Sequence, residues 1–100
     1  MNELIKITYR NNEPAVSARE LHEVLAVGSD YSHWFRRMCE YGFIEGEDYS
    51  SFLTDRSDGL PGKPRQDAIL SLDMAKEICM LQRNEKGRQA RRYFIQLEKE

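Results

Sequence analysis

Apolar residues recur along this chain at two different periods, and the switch between them lays out its elements. In "ELIKITYR" the residues Leu4, Ile5, Ile7 and Tyr9 make a short strand-like run that closes at Asn11-Asn12, a turn pair. From Ala18 the period lengthens to that of a helix. Ala18, Leu21 and Leu25 share a face with Val24 beside it, Ser17 and Glu20 stand at capping-box spacing, and Gly28 supplies a stop. A second helix follows, capped by Ser29 or Asp30, with Tyr31, Trp34, Phe35 and Met38 at i, i+3, i+4 and i+7. Its opposite face carries Ser32, His33, Arg36, Arg37 and Glu40, and Gly42 ends it. "FIEGEDYSSFL" abandons the helical period and predicts one or two short strands. "TDRSDGLPGKPR" gathers turn formers into a surface loop, the tip of a β-hairpin or a wing, and "QDAILSL" reads as the partner strand. Asp73 is placed to cap a third helix that turns Met74, Ile78 and Leu81 inward with Ala75 and Cys79 alongside. Asn84 is placed to cap a fourth, with Ala90, Phe94 and Leu97 as its inner stripe.

These elements predict an α+β fold. It is a small single domain over residues 1–100 with about four helices, including a helix-turn-helix-like pair, and a short antiparallel sheet or hairpin. Two short helices joined by about four residues and a glycine have the outline of a helix-turn-helix. An ordinary helical hairpin has the same outline, and the small and aliphatic positions usual in the first helix align imperfectly around Glu23 and Val24. "QLEKE" ends the chain without a C-cap, so the expectation is a fragment of something longer or a helix leading into a further domain.

Composition narrows the function classes. The apolar fraction is 40 %, the charged fraction 32 %, and aromatics occur along the whole length, which describes a folded domain and not a disordered tail. The net charge of -2 hides an asymmetry: residues 1–50 hold 5 Lys/Arg against 9 Asp/Glu, and residues 51–100 hold 10 against 8. A protein living on phosphate contacts shows a stronger basic excess, so any anion-binding role must come from a local patch. Cys39 and Cys79 lie far apart without a CxxC, and His22 and His33 complete no zinc pattern, so two buried thiols in a reducing cytosol are expected over a disulfide. There is no carboxylate pair, nucleophile elbow or phosphate loop; "GLPGKP" lacks the P-loop spacing and its Ser/Thr. The expectation is a non-enzyme without cofactor or metal, cytoplasmic, with no membrane contact.

Three basic groups remain as candidate binding residues. His33, Arg36 and Arg37 share the exposed face of the second helix, where they would reach base edges or phosphates, or would simply be a solvated face pairing with Glu40. Lys63 and Arg65 flank the proline of the loop, placed as a wing that touches backbone phosphates or as solubilising charge. Arg83, Lys86, Arg88, Arg91 and Arg92 stand against Glu85 alone. Arg88, Arg91 and Arg92 share a helical face that reads as an anion patch or, the favoured expectation, as charge paired with the acidic first half.

The order of motifs adds a resemblance. "VSARELHEVL", then "YSHWFRRMCEYGFIEGEDY", then "LSLDMAKEICMLQRNEKGRQARRYFIQLEK" resembles the AntA/AntB-type antirepressor domain of bacteriophages and prophages, from about Val16 to Lys99. Its most specific part is the last block: "LDMAKE", "RNEKG" and the arginines before "YFI". The resemblance implies an N-terminal α+β domain, often ahead of a separate C-terminal one, that regulates transcription in the lysis–lysogeny switch of a bacterial host by engaging a phage repressor protein. Related phage domains of the KilA-N and Bro-N types are associated with DNA, so direct sequence-specific DNA binding stays open beside it, as does a homo-oligomerisation module. An acidic surface of Glu13, Glu20, Glu23, Glu45, Glu47 and Asp48 would suit competition with DNA for a repressor's basic face.

Overall fold

The computed structural model describes residues 5–54 and 65–99. The first strand pairs with one that the apolar pattern does not isolate. β1 (Ile7–Arg10) and β2 (Glu13–Ser17) form a hairpin across Asn11 and Asn12, which both take positive φ, 52° and 67°. A two-residue turn with both central residues left-handed matches the twist of the strands, and asparagine tolerates that conformation. β2 escapes the sequence pattern because it offers only Ala15 and Val16 as apolar residues, begins with a Pro-containing pair and runs straight into the helix cap at Ser17. Pro14 lies beyond the ladder to the next strand, whose register starts at Ala15.

β3 (Tyr49–Thr54) and β4 (Arg65–Ser71) complete an antiparallel sheet in the order β1-β2-β4-β3. One row of partners, Ile7, Val16, Leu70 and Tyr49, crosses all four strands. The expected strand from residue 43 starts only at Tyr49; residues 43–48 are a turn with a single bridge from Glu45 to Tyr49. Gly42 and Gly46, at φ 104° and 93°, force that turn where a side chain would be strained. The tip of the β3–β4 hairpin, Lys63 included, lies outside the described residues.

Four helices complete the fold: α1 (Ala18–Val24) and α2 (Tyr31–Cys39) between β2 and β3, then α3 (Leu72–Leu81) and α4 (Glu85–Glu98) after β4. Ser17 caps α1 as its spacing predicts, its Oγ accepting the Glu20 N–H at 3.2 Å. Other boundaries differ. α1 closes at Val24, and the left-handed residue after it is Ala26, not Gly28. Asp30 holds the N-cap position of α2, but its carboxylate pairs with His33 instead of a backbone N–H. Ser71, not Asp73, caps α3: its Oγ accepts the Met74 N–H at 3.1 Å, because β4 passes directly into the helix. Asp73 sits in the first turn, where a negative charge still favours the helix. Asn84 caps α4 as expected, taking the Gly87 N–H at 2.8 Å.

Val16 and Leu70 from the sheet meet Leu21, Leu25, Trp34, Met74, Ile78 and Phe94 from the helices, all fully buried. Each such side chain contributes roughly 1.5–3 kcal/mol of burial. Leu81, expected to point inward, is exposed. It is the last residue of α3, past the end of the seam with α4. Two polar ties supplement the packing. Lys76 on α3 bonds Glu98 of α4 at 2.6 Å, and the Tyr93 hydroxyl donates to the Ile5 carbonyl at 3.0 Å.

Candidate functional site

The Ser17 cap sets Arg19 in the first turn of α1, where it reaches across to β4. Its Nε donates to Asp67 Oδ1 at 2.6 Å and its Nη2 to the Gln66 carbonyl at 3.1 Å, while the guanidinium sits 4.2 Å from the Tyr31 ring centre. Arg65 grips the other oxygen of the same carboxylate, Oδ2, at 3.2 and 3.1 Å. Burial pushes the Asp67 carboxyl up. The hydrogen bonds and charges of Arg19 and Arg65 outweigh it and leave the carboxyl below its ordinary value. Sequence reading missed both Arg19 and Asp67. The available signal was an aspartate beginning the apolar run "DAIL", since a charge buried in a strand requires partners.

α2 lies beside this cluster. Tyr31 stacks on Phe35 (5.7 Å, 7° between planes), and Phe35 meets Tyr49 edge-on. Burial drives the Tyr31 phenol up to about 12, so it stays neutral at any ordinary pH. On the outer face, His33 is paired with Asp30, whose carboxyl that hydrogen bond lowers. Arg37 donates to Ser29 Oγ at 2.9 Å. Arg36 has no partner among the described residues and borders a cavity of about 220 Å³ with Tyr31, Phe35, Ser51, Gln66 and Asp67. Arg65 is thereby bound to Asp67 and Arg36 borders the cavity beside it, while His33 and Arg37 bond to residues at the N-terminal end of their own helix. The α1–α2 connection spans residues 25–30, longer than the four residues expected of the helix-turn-helix outline.

The arginines of α4 occupy a separate place. Arg88 pairs with Glu85 one turn away, and Arg92 is exposed. Arg91 is half-buried, its Nε enclosed without a partner, in a notch of about 530 Å³ shared with Arg83, Arg88, Cys79 and Met80. The expected pairing with the acidic first half is not found: among the described residues the cluster makes one ion pair, Arg88 with Glu85. α4 packs chiefly on α3, a neighbour from the same half of the chain, which keeps its basic face from the N-terminal acids.

Both cysteines are free. Burial pushes the Cys79 thiol up to about 12, so it is unreactive. Among the described residues no three His, Cys, Asp or Glu side chains come together as a metal site, and no helix is long and apolar enough to cross a membrane.

A family model described as AntA/AntB antirepressor matches residues 16–84, from β2 to the cap of α4. No curated protein and no solved structure matches the chain. The matched segment contains Arg19, Asp67, the whole of α2 and α3, and the Asn84 cap. It leaves out Arg88, Arg91 and Arg92, so of the last block, the most specific part of the resemblance, it includes "LDMAKE" and Asn84 but not the arginines before "YFI".

Proposed function

We propose, from the premise that this chain belongs to the AntA/AntB antirepressor family, that it relieves transcriptional repression by binding a repressor protein and not by catalysis. The setting is the lysis–lysogeny switch of a phage or prophage in the bacterial cytoplasm. Family membership carries the reading. The electrostatics support a protein target over bare DNA: the net charge is -2, Arg19 and Arg65 share one carboxylate, and Arg37 and Arg88 have partners on their own helices or caps. Co-purification with the repressor of the same phage, together with release of that repressor from its operator, is the expected result. No co-purification, with the operator complex intact at excess antirepressor, would sink the reading.

One observation favours a second reading, direct DNA binding: among the described residues Arg36 stands unpartnered, on the face that also carries His33 and Arg37. On that reading the double substitution Arg36→Ala, Arg37→Ala abolishes a gel shift that is steeply salt-dependent and leaves the melting midpoint nearly unchanged, since the Arg37–Ser29 hydrogen bond it removes is exposed. A shift that survives the double substitution rejects it.

A further inference from the structure

Among the described residues seven large apolar side chains stand exposed: Tyr9, Phe52 and Leu53 lie on strands, and the other four sit at or just after the ends of α2 and α3. Tyr41 and Ile44 follow the end of α2, Met80 and Leu81 close α3, and all four are exposed. Tyr41, Met80 and Leu81 line, with Phe43, a notch of about 400 Å³ whose remaining walls are Gly42, Asp48 and Glu77. The turn beneath is pinned: Asp48 Oδ2 accepts the Ile44 N–H at 2.8 Å, and the Asp48 carbonyl accepts the Ser71 N–H at 2.7 Å. Ile44 is therefore held out toward solvent by a hydrogen-bonded turn anchored to the start of α3.

The charged residues that line this notch, Asp48 and Glu77, are both acidic, and on its far side Met80 also borders the notch of Arg83, Arg88 and Arg91. Exposed Glu40, Glu45, Glu47 and Glu77 lie on the segments that form it, and among the described residues no lysine or arginine lines it. The C-terminal ends of α2 and α3 both arrive here, and the helix dipoles add partial negative charge. An aromatic and a methionine within a polar, charged rim have the make-up of a protein-binding hot spot. The matching occupant carries apolar anchors set among cations. A DNA-reading face has that composition.

We infer that this acid-rimmed notch is where the repressor docks, through the basic surface it would otherwise lay on its operator. The inference rests on the repressor-binding reading above and adds its location. Opposed charge speeds and orients such an encounter, while the apolar contacts hold it.

The test uses the full chain and the purified repressor of the same phage, with binding followed by interferometry at low and at physiological salt. Two double variants, Ile44→Ser with Met80→Ser and Glu45→Lys with Glu77→Lys, change only exposed side chains, so melting midpoints are expected to hold. Wild type is expected to bind more weakly as salt rises. Each double variant is expected to lose at least about ten-fold in affinity, roughly the weight of one hot-spot side chain, and the lysine variant to lose its salt dependence. If wild type binds and both variants bind equally well, the docking site is overturned and the repressor-binding reading stands. If wild type itself does not bind, that reading falls and takes this inference with it. If the serine variant instead turns a dimer into a monomer in sedimentation while binding the repressor normally, a second copy of this chain covers the notch, which also overturns it.

Discussion

Ala26 and Arg83 occupy the same structural position, the residue after the C-cap of α1 and of α3, and both take left-handed backbone, at φ 54° and 46°. A side chain in that conformation costs roughly 1–2 kcal/mol, which glycine escapes. Replacing Ala26 by Gly is therefore expected to stabilise the domain by about 0.5–1 kcal/mol, the unfolded-state entropy of glycine offsetting the rest, and to raise the melting midpoint by a few degrees. A fall in midpoint would contradict the geometry. Gly87 presents the opposite case. Alanine is ordinarily the better helix residue by about 1 kcal/mol, but a Cβ here would lie 2.7 Å from the Cys79 carbonyl oxygen and 3.1 Å from Gln82 Cβ. The expected effect of Gly87→Ala is a loss of roughly 1–3 kcal/mol, read as a lowered midpoint. The segment "RNEKG" gains a physical meaning from this pair of contacts. Its asparagine caps α4 by accepting the glycine's N–H, and the glycine lets α4 approach the end of α3.

Among the elements, α1 and β4 are tied through one buried carboxylate, and that tie should appear in the acid limb of stability. The folded Asp67 carboxyl titrates below its unfolded value of about 3.9, so the tie contributes fully above that value and is lost as pH falls through the folded one. Asp67→Asn is expected to cost about 1–3 kcal/mol at neutral pH and to flatten the loss of stability below pH of about 4. Urea melts across pH 2 to 7 on both proteins would show it; parallel curves would mean the carboxylate is not held by its arginines. The helices themselves were legible because Tyr31, Trp34, Met38 and then Met74, Ile78, Phe94 recur at helical spacing and are buried as that spacing requires. β2 was not, since five residues with two apolar side chains carry too little period to read. The ion cluster was not legible either. Arg19 and Asp67 are brought together only by tertiary packing, and nothing local marks Arg65 as bound instead of free.

For the molecule as a whole, the segment that matches the family and the folding unit are not the same length. Residues 16–84 omit β1 and α4, yet Ala90 and Phe94 of α4 are fully buried in the common core, and Tyr93 reaches back to Ile5. Deleting one buried aromatic typically costs about 3–5 kcal/mol, which is comparable with the whole stability of a small domain. A polypeptide limited to residues 16–84 is thus expected to lack a cooperative thermal transition, and one spanning residues 5–99 to show it. Circular dichroism melts of the two would decide, and a cooperative melt of the shorter piece would mean that α4 is dispensable. The functional surface was the least legible feature of the sequence. Tyr41, Ile44, Met80 and Leu81 look like ordinary core candidates in a hydrophobic pattern, and only the fold reveals that the core does not take them.

The sheet order has a consequence in time. The centre of the sheet joins β2 to β4, Val16 to Leu70, with α1, α2 and β3 intervening in the chain. Closing so long a loop is entropically slow, and contacts of this separation set the pace of folding in small domains. On a ribosome, β2 must wait until β4 has emerged before it finds its partner. The β1–β2 hairpin waits with it, an unpaired edge in search of a strand.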